Sequence, residues 1–219
     1  MSTRELWYLS RGTGMVAFTL LSLALVLGIM SRAPAGVLSL PRFVVAGLHR
    51  NVSLLLTAFI AVHVTASILD PYAGLRLVDA FLPLASSYRP LWVGLGAVAL
   101  DLLAAVTITS LIRARLGLRA WRAVHWAVYA IWPVALVHAL GTGSDVRSGL
   151  LLVVGSLSSA VVIAAVTVRV LIADISPRAR VAWLCSGGAL VTVVGLWTLA
   201  GPTQPDWSRI AAEMLVRST

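Results

Sequence analysis

Six long, sparsely charged apolar runs dominate the chain of 219 residues, at about 7–30, 43–69, 91–112, 122–140, 149–171 and 181–200. A helix crosses the ~30 Å hydrocarbon core of a bilayer with about 20 apolar residues, so each run has the length of a span. The composition agrees: 59% of residues are hydrophobic and 11% are charged, against about 25% charged in an average soluble domain. The chain therefore reads as all-α, a polytopic membrane protein with six transmembrane helices and lipid as its surroundings. The longest connection, residues 70–90, leaves no room between spans for a soluble catalytic domain.

The net charge of +9 comes from 17 basic residues, all arginine. They gather at the ends of the apolar runs, as membrane-flanking charges do, and form no basic patch of the kind that binds nucleic acid. The connections after the first, third and fifth runs carry ten: Arg32, Arg42, Arg50, Arg113, Arg115, Arg119, Arg122, Arg169, Arg178 and Arg180. The opposite side carries the remaining seven, Arg4, Arg11, Arg76, Arg89, Arg147, Arg209 and Arg217. Arginine and lysine accumulate on the cytoplasmic side, which predicts a multi-pass protein of the cell (plasma) membrane with both termini outside. Arg4 and Arg11 before a long apolar stretch resemble the start of a signal peptide, but the stretch is long enough to span and is read as retained. Cys185 is the single cysteine, so no intrachain disulfide can form, and no C-x-x-C-H motif is present to hold a covalent c-type haem.

The four histidines, His49, His63, His125 and His138, form two pairs, 14 and 13 residues apart, in or at the edge of the second and fourth runs. Imidazole is costly in hydrocarbon, so a histidine there is a functional-site hypothesis by default. At 1.5 Å rise per residue each pair spans roughly 20 Å. Two such helices offer four axial ligands for iron at two depths, the requirement for two non-covalent b-type haems held across a membrane. The fold expected is thus a haem-binding helical bundle. In the orientation above, His49 and His125 serve an inner haem, and His63 and His138 an outer one. Fourteen residues at ~100° each return to within about 40° of the same helix face; thirteen leave two side chains roughly 140° apart. Pro133 lies between His125 and His138 and is expected to kink or re-wind the helix so that both rings turn inward.

These residues carry a family resemblance. Leu48-His49-Arg50 through Ala61-Val62-His63 resembles the first ligand helix of the ferric reductase-like transmembrane domain. That superfamily includes NADPH oxidases, ferric-chelate reductases and the haem subunit of bacterial periplasmic methionine sulfoxide reductase. Trp121-Arg122-Ala123-Val124-His125 through Tyr129 and Val137-His138 resembles the second ligand helix. Leu9-Ser10-Arg11-Gly12-Thr13-Gly14 resembles the oxidase helix that precedes the first ligand helix, where an arginine lies near the outer haem. The 14 and 13 spacings are those of the oxidase branch.

The resemblance implies two haem b groups and electron transfer to an outer-face acceptor, a ferric chelate or a protein. It also implies a separate donor, a flavoprotein or a quinol, and hence an oxidoreductase subunit that needs a partner to oxidise NAD(P)H. Residues 1–175 would form the five-helix haem-binding domain; 176–219 would add a sixth helix and a tail. Two departures matter. The oxidases continue from their last shared helix into a flavin- and nicotinamide-binding domain, whereas here Asp174 to Arg180 and the sixth run follow. No nucleotide-binding glycine motif is present, so neither flavin nor NADPH is expected to bind in this chain. Ser67 stands where oxidases carry a further histidine near the site of oxygen reduction, which argues against superoxide production.

Other residues invite roles. Trp132 falls between the two haem depths. Arg50, Arg113 and Arg122 lie where inner propionates would emerge, and arginine pairs well with carboxylates. Arg11, Arg76 and Arg89 are the outer counterparts; Arg11 and Arg89, read as solvent-facing, would attract an anionic acceptor. Asp101, the only acid deep in an apolar run, suits a proton path or an interhelical contact. Leu75, Leu77, Val78, Phe81 and Leu82 suggest a short interfacial helix over the outer haem. Gly187, Gly188 and Gly195 permit close packing of the sixth helix. Two alternatives remain at this point: a quinol-linked cytochrome b subunit, and a haem-free transporter or assembly protein with structural histidines. Transporters usually show repeats or broken helices, and neither is visible in the sequence.

The predicted orientation is directly testable. A reporter active only outside the cytoplasm should be active when fused after Thr219 and silent when inserted at Leu116–Leu118. The opposite pattern would invert the orientation and exchange the inner and outer labels.

Overall fold

The structure is a computed structural model that describes residues 2–31, 41–142, 146 and 149–213. Arg32, Asp145, Arg147, Arg217 and Thr219 lie outside the described residues. The chain is helical, with no strand among the described residues. Its elements are α1 (Thr3–Met30), α2 (Arg42–Leu69), a 3₁₀ turn (Leu77–Ala80), α3 (Pro90–Leu111), α4 (Arg113–Leu116), α5 (Leu118–His125), α6 (Val128–Thr142), α7 (Leu150–Leu171), α8 (Pro177–Ala200) and α9 (Trp207–Glu213). Six stretches are long and apolar enough to cross a membrane: α1, α2, α3, Leu118–Thr142, α7 and α8. The chain is therefore a multi-pass, all-α membrane protein, as its apolar runs require. Helices are forced on it because hydrocarbon offers backbone groups no partner outside the segment itself.

Local chemistry sets where these helices begin. Pro90 and Pro177 occupy first-turn positions of α3 and α8, where a missing N–H costs nothing. The Ser176 hydroxyl caps α8 by accepting the Ala179 N–H at 3.3 Å. Gly117, at φ 76°, separates α4 from α5 in a conformation that side chains resist.

The fourth span differs from expectation in two ways. It starts at Leu118 rather than near 122, because α5 carries Arg119 and Arg122 on its exposed surface and so escapes an apolar search. Its regular bonding breaks at Trp126 and Ala127, not at Pro133. There the N–H groups of Ala127, Tyr129 and Ala130 donate to carbonyls only three residues back. Pro133 sits one turn later, inside α6; its ring crowds the carbonyl of Tyr129, four residues before it. The strain is taken up in the preceding turn. Each 3₁₀ step advances about 120° instead of 100°, so three such steps add roughly 60° and bring residues 13 apart towards one face.

The chain forms two compact units. One comprises Met1–Gly14, Ile60–Ser144 and Pro205–Thr219. Within it α3 packs against α5, α6 and the 3₁₀ turn. Gly141 of α6 lies against the Trp92 indole of α3, with no space for even one methyl group. Trp207 of α9 packs on the same indole, ring centres 5.3 Å apart, and donates its Nε1–H to the Gly141 carbonyl at 3.2 Å. Small residues let membrane helices approach in this way without any hydrophobic drive between them.

The other unit comprises Met15–Phe59 and Asp145–Gln204. Here α1 buries Ala17, Phe18, Leu21, Ser22, Ala24, Leu25 and Ile29, at helical spacing. α7 packs against α8, yet no residue of α8 is buried. A methyl group on Gly187, Gly188 or Gly195 would meet nothing within 4 Å beyond the helix's own neighbouring backbone. The close packing expected of these glycines is therefore not made to any described residue.

The two kinds of glycine should respond oppositely to a methyl group. Gly141→Ala must displace Trp92 and is expected to cost about 1–3 kcal/mol by overpacking. Gly187→Ala gains helix propensity of up to about 1 kcal/mol. Thermal unfolding of both variants in detergent checks this; equal midpoints would refute the packing.

Candidate haem-ligand site

Three of the four histidines are held in the same way. His63 on α2 donates its Nδ1–H to the carbonyl of Ser10 on α1 at 2.7 Å. His138 on α6 donates to the carbonyl of Trp92 on α3 at 2.8 Å. His49 on α2 donates to the carbonyl of Ala24 on α1 at 2.9 Å. A carbonyl can only accept, so each Nδ1 carries the proton and, in the neutral ring, Nε2 keeps its lone pair. This is the tautomer that binds a metal through Nε2, with the other ring nitrogen oriented by a backbone acceptor.

His63 and His138 lie in the same unit, with ring centroids 6.4 Å apart and ring planes inclined at 80°. Two imidazoles that bind one metal from opposite sides through Nε2, at about 2 Å each, have centroids roughly 6 Å apart. The donor set and the separation therefore fit an axial pair for haem iron. Among the described residues no group of three His, Cys, Asp or Glu side chains could hold a bare metal ion. A porphyrin asks the protein for only two ligands.

His49 and His125 belong to different units. His125 ends α5 and stacks on Trp121, centroids 4.9 Å apart at 30°. Trp132 is buried on α6. Arg50 and Arg122 are exposed, and Arg11 is half-buried with its guanidinium 3.8 Å from the centre of the Trp7 ring. Asp101 is exposed on α3.

Arg89 corrects the sequence reading. It is buried, not solvent-facing. It adopts a left-handed backbone at φ 46°, and its Nη1 donates to the Thr142 carbonyl at the end of α6 at 2.6 Å. Arg76 is likewise engaged: its Nη2 donates to Asp79 Oδ1 at 2.9 Å, and its backbone N–H to Asp79 Oδ2 at 2.8 Å. Hydrogen bonding from Arg76 holds the Asp79 carboxyl below the usual carboxylate range. The interfacial helix expected over residues 70–90 reduces to the single 3₁₀ turn Leu77–Ala80, because Asp70 and Asp79 bend the backbone by accepting the Tyr72 and Arg76 N–H groups.

Sequence reasoning missed the residues that face the histidines. Gly14 meets the His63 ring, Gly28 the His49 ring and Gly96 the His138 ring. The signal was present: Gly14 and Gly28 are 14 residues apart, as are His49 and His63. It also missed a hydroxyl four residues after each of these histidines. Ser53, Ser67 and Thr142 donate to the carbonyls of His49, His63 and His138 at 2.7, 2.8 and 2.7 Å. Ser67 thus has a local role. Its proton goes to the His63 carbonyl, so Ser10 Oγ must be the donor in the 2.6 Å contact between the two serines.

The family described as ferric reductase like transmembrane component matches residues 13–136, more than half of the chain, including His49, His63 and His125. No curated protein and no solved structure matches the chain significantly.

Proposed function

This chain belongs to the ferric reductase like transmembrane component family, and from that membership we propose that it is a di-haem b-type cytochrome of the plasma membrane. His63 and His138 hold an outer haem; His49 and His125 hold an inner one. Electrons enter from a separate flavoprotein or quinol and leave at the outer face to a ferric chelate or a protein. Both termini face outward.

The observation that carries this reading is the His63–His138 pair, with ring centroids 6.4 Å apart and both Nδ1–H groups committed to backbone carbonyls. Haem, when bound, supplies a one-electron iron couple whose potential depends on axial ligand, hydrogen bonding and burial. The side chains do the rest. His49, His63 and His138, with Nδ1–H on a backbone carbonyl, offer Nε2 as the ligating atom. Trp132, buried on α6, falls between His125 and His138 in the sequence. Arg50 and Arg122 on the inner side, and Arg11 on the outer, supply guanidinium groups for propionates. The inner pairing rests on the sequence spacing and on the family.

Purified protein should show a reduced-minus-oxidised b-type spectrum with two haems per chain. His63→Ala or His138→Ala should each remove one haem and leave the other, with some loss of stability from the cavity and the unpaired ligand. A colourless folded protein would end the cytochrome reading. Loss of both haems from folded His63→Ala protein would end the pairing.

The acceptor is tested by stopped-flow re-oxidation of dithionite-reduced protein with ferric citrate against oxygen. Rapid electron transfer to the chelate, and none from NADPH without a partner, is expected. Fast re-oxidation by oxygen that yields superoxide, with no response to the chelate, would return the protein to an oxidase role.

A further inference from the structure

Each of the three carbonyl-bonded histidines packs against a glycine placed four residues after the carbonyl it uses. Ser10 is followed by Gly14, Ala24 by Gly28 and Trp92 by Gly96. In an α-helix the carbonyl of residue i points along the axis towards residue i+4. A side chain at i+4 covers that carbonyl; a glycine leaves it open to a third group. The clearances are tight. A Cβ at Gly96 would stand 2.5 Å from His138 Cε1 and 2.7 Å from its Nδ1. At Gly14 it would stand 3.0 Å from His63 Cε1 and Nδ1, and at Gly28 3.3 Å from His49 Cε1. By contrast, Gly12 and Gly47, on the same helices α1 and α2, have nothing within 4 Å.

We infer that Gly14, Gly28 and Gly96 are positioning residues: each exposes a helix carbonyl that receives a ligand histidine's Nδ1–H and so fixes Nε2 as the metal-binding nitrogen. The inference rests on the haem reading. The seat has a second half on the histidine's own helix, where Ser53, Ser67 and Thr142 close the histidine carbonyls. The imidazole is then held across the interface by a carbonyl and a glycine, while a local hydroxyl satisfies the histidine's own backbone carbonyl. An Nδ1–H···O=C bond raises the basicity of the ligating nitrogen and orients the ring. A more basic ligand favours ferric iron. Loss of the seat should therefore raise the midpoint potential of the haem concerned.

The test uses the full chain with Gly96→Ala, Gly14→Ala and Gly28→Ala, with Gly12→Ala and Gly47→Ala as controls. The readouts are haem-to-protein ratio, electron paramagnetic resonance g-values of the low-spin ferric haems, and redox potentiometry. Severity should follow the clearances. Gly96→Ala should lose one of two haems. Gly14→Ala should keep both but shift the g-values and raise the potential of one. Gly28→Ala should do the same more weakly and to the other haem. The controls should match wild type. A merely structural role would lower the thermal midpoint without moving g-values or potential. If Gly96→Ala does not fold, the other two variants decide. Unchanged spectra and potentials in Gly14→Ala and Gly28→Ala, on a wild type that carries two haems, overturn the seat alone. A wild type without any b-type signal overturns the haem reading instead.

Discussion

The hydrogen bond from imidazole Nδ1–H to a helix carbonyl is the interaction on which the candidate site depends. In hydrocarbon an imidazole cannot find water for either nitrogen, and an unsatisfied polar group there costs several kcal/mol, on the order of the bond it lacks. The backbone carbonyls of a neighbouring helix are the one supply of acceptors that exists at every depth. Using them has a geometric condition: the carbonyl must be uncovered and the helices must be close. Ser10, Ala24 and Trp92 satisfy it for His63, His49 and His138. The proton is thereby placed on Nδ1, which in the neutral ring leaves the lone pair on Nε2.

The small residues follow from that condition. In a soluble protein a glycine in mid-helix weakens the helix by ~1 kcal/mol. In a membrane the penalty is offset by the approach it permits, and at Gly14, Gly28 and Gly96 the approaching group is a histidine ring. The fourth histidine is built differently. Tyr129, not a hydroxyl of serine or threonine, lies four residues after His125. Along α3, a step of 13 or 14 residues from Gly96 reaches Thr109 or Ser110. Their hydroxyls already bond to the carbonyls of Ala105 and Val106, at 2.7 and 2.6 Å.

The six spans and the helical class were legible because bilayer thickness imposes a length, and composition shows it directly. The histidines were legible because polar residues are rare in apolar runs. The start of the fourth span was not, since α5 is amphipathic: Arg119 and Arg122 break the apolar run that a search follows. Pro133 announced a distortion but not its place, because a proline disturbs the turn before it and the altered bonds fall at Ala127, Tyr129 and Ala130. The glycine seats needed two helices to be read against each other, and a single sequence does not say which helices touch. Only the shared 14-residue step of Gly14–Gly28 and His49–His63 carries that register. Arg89 was misread because charge alone suggests solvent, while its left-handed backbone at the start of α3 turns the guanidinium inward onto Thr142.

The connection between α2 and α3 shows how charge and apolar surface divide at a membrane boundary. Its polar groups satisfy one another: Arg76 grips Asp79 and donates to the Ala85 carbonyl at 3.1 Å, and the Ser86 hydroxyl accepts the Tyr88 N–H at 3.0 Å. Its apolar side chains do the reverse, with Tyr72, Leu77, Val78, Phe81, Leu82 and Leu84 all exposed. In water that arrangement would be costly. At the interface it suits a segment that rests its apolar side on the lipid, with Asp79 buried under an exposed Arg76. It also removes much of the electrostatic case for an anionic acceptor at this face. Arg89 is withdrawn and the Arg76 charge is matched by Asp79, which leaves the half-buried Arg11 and the exposed Arg4 and Arg209 as the other described arginines of this side.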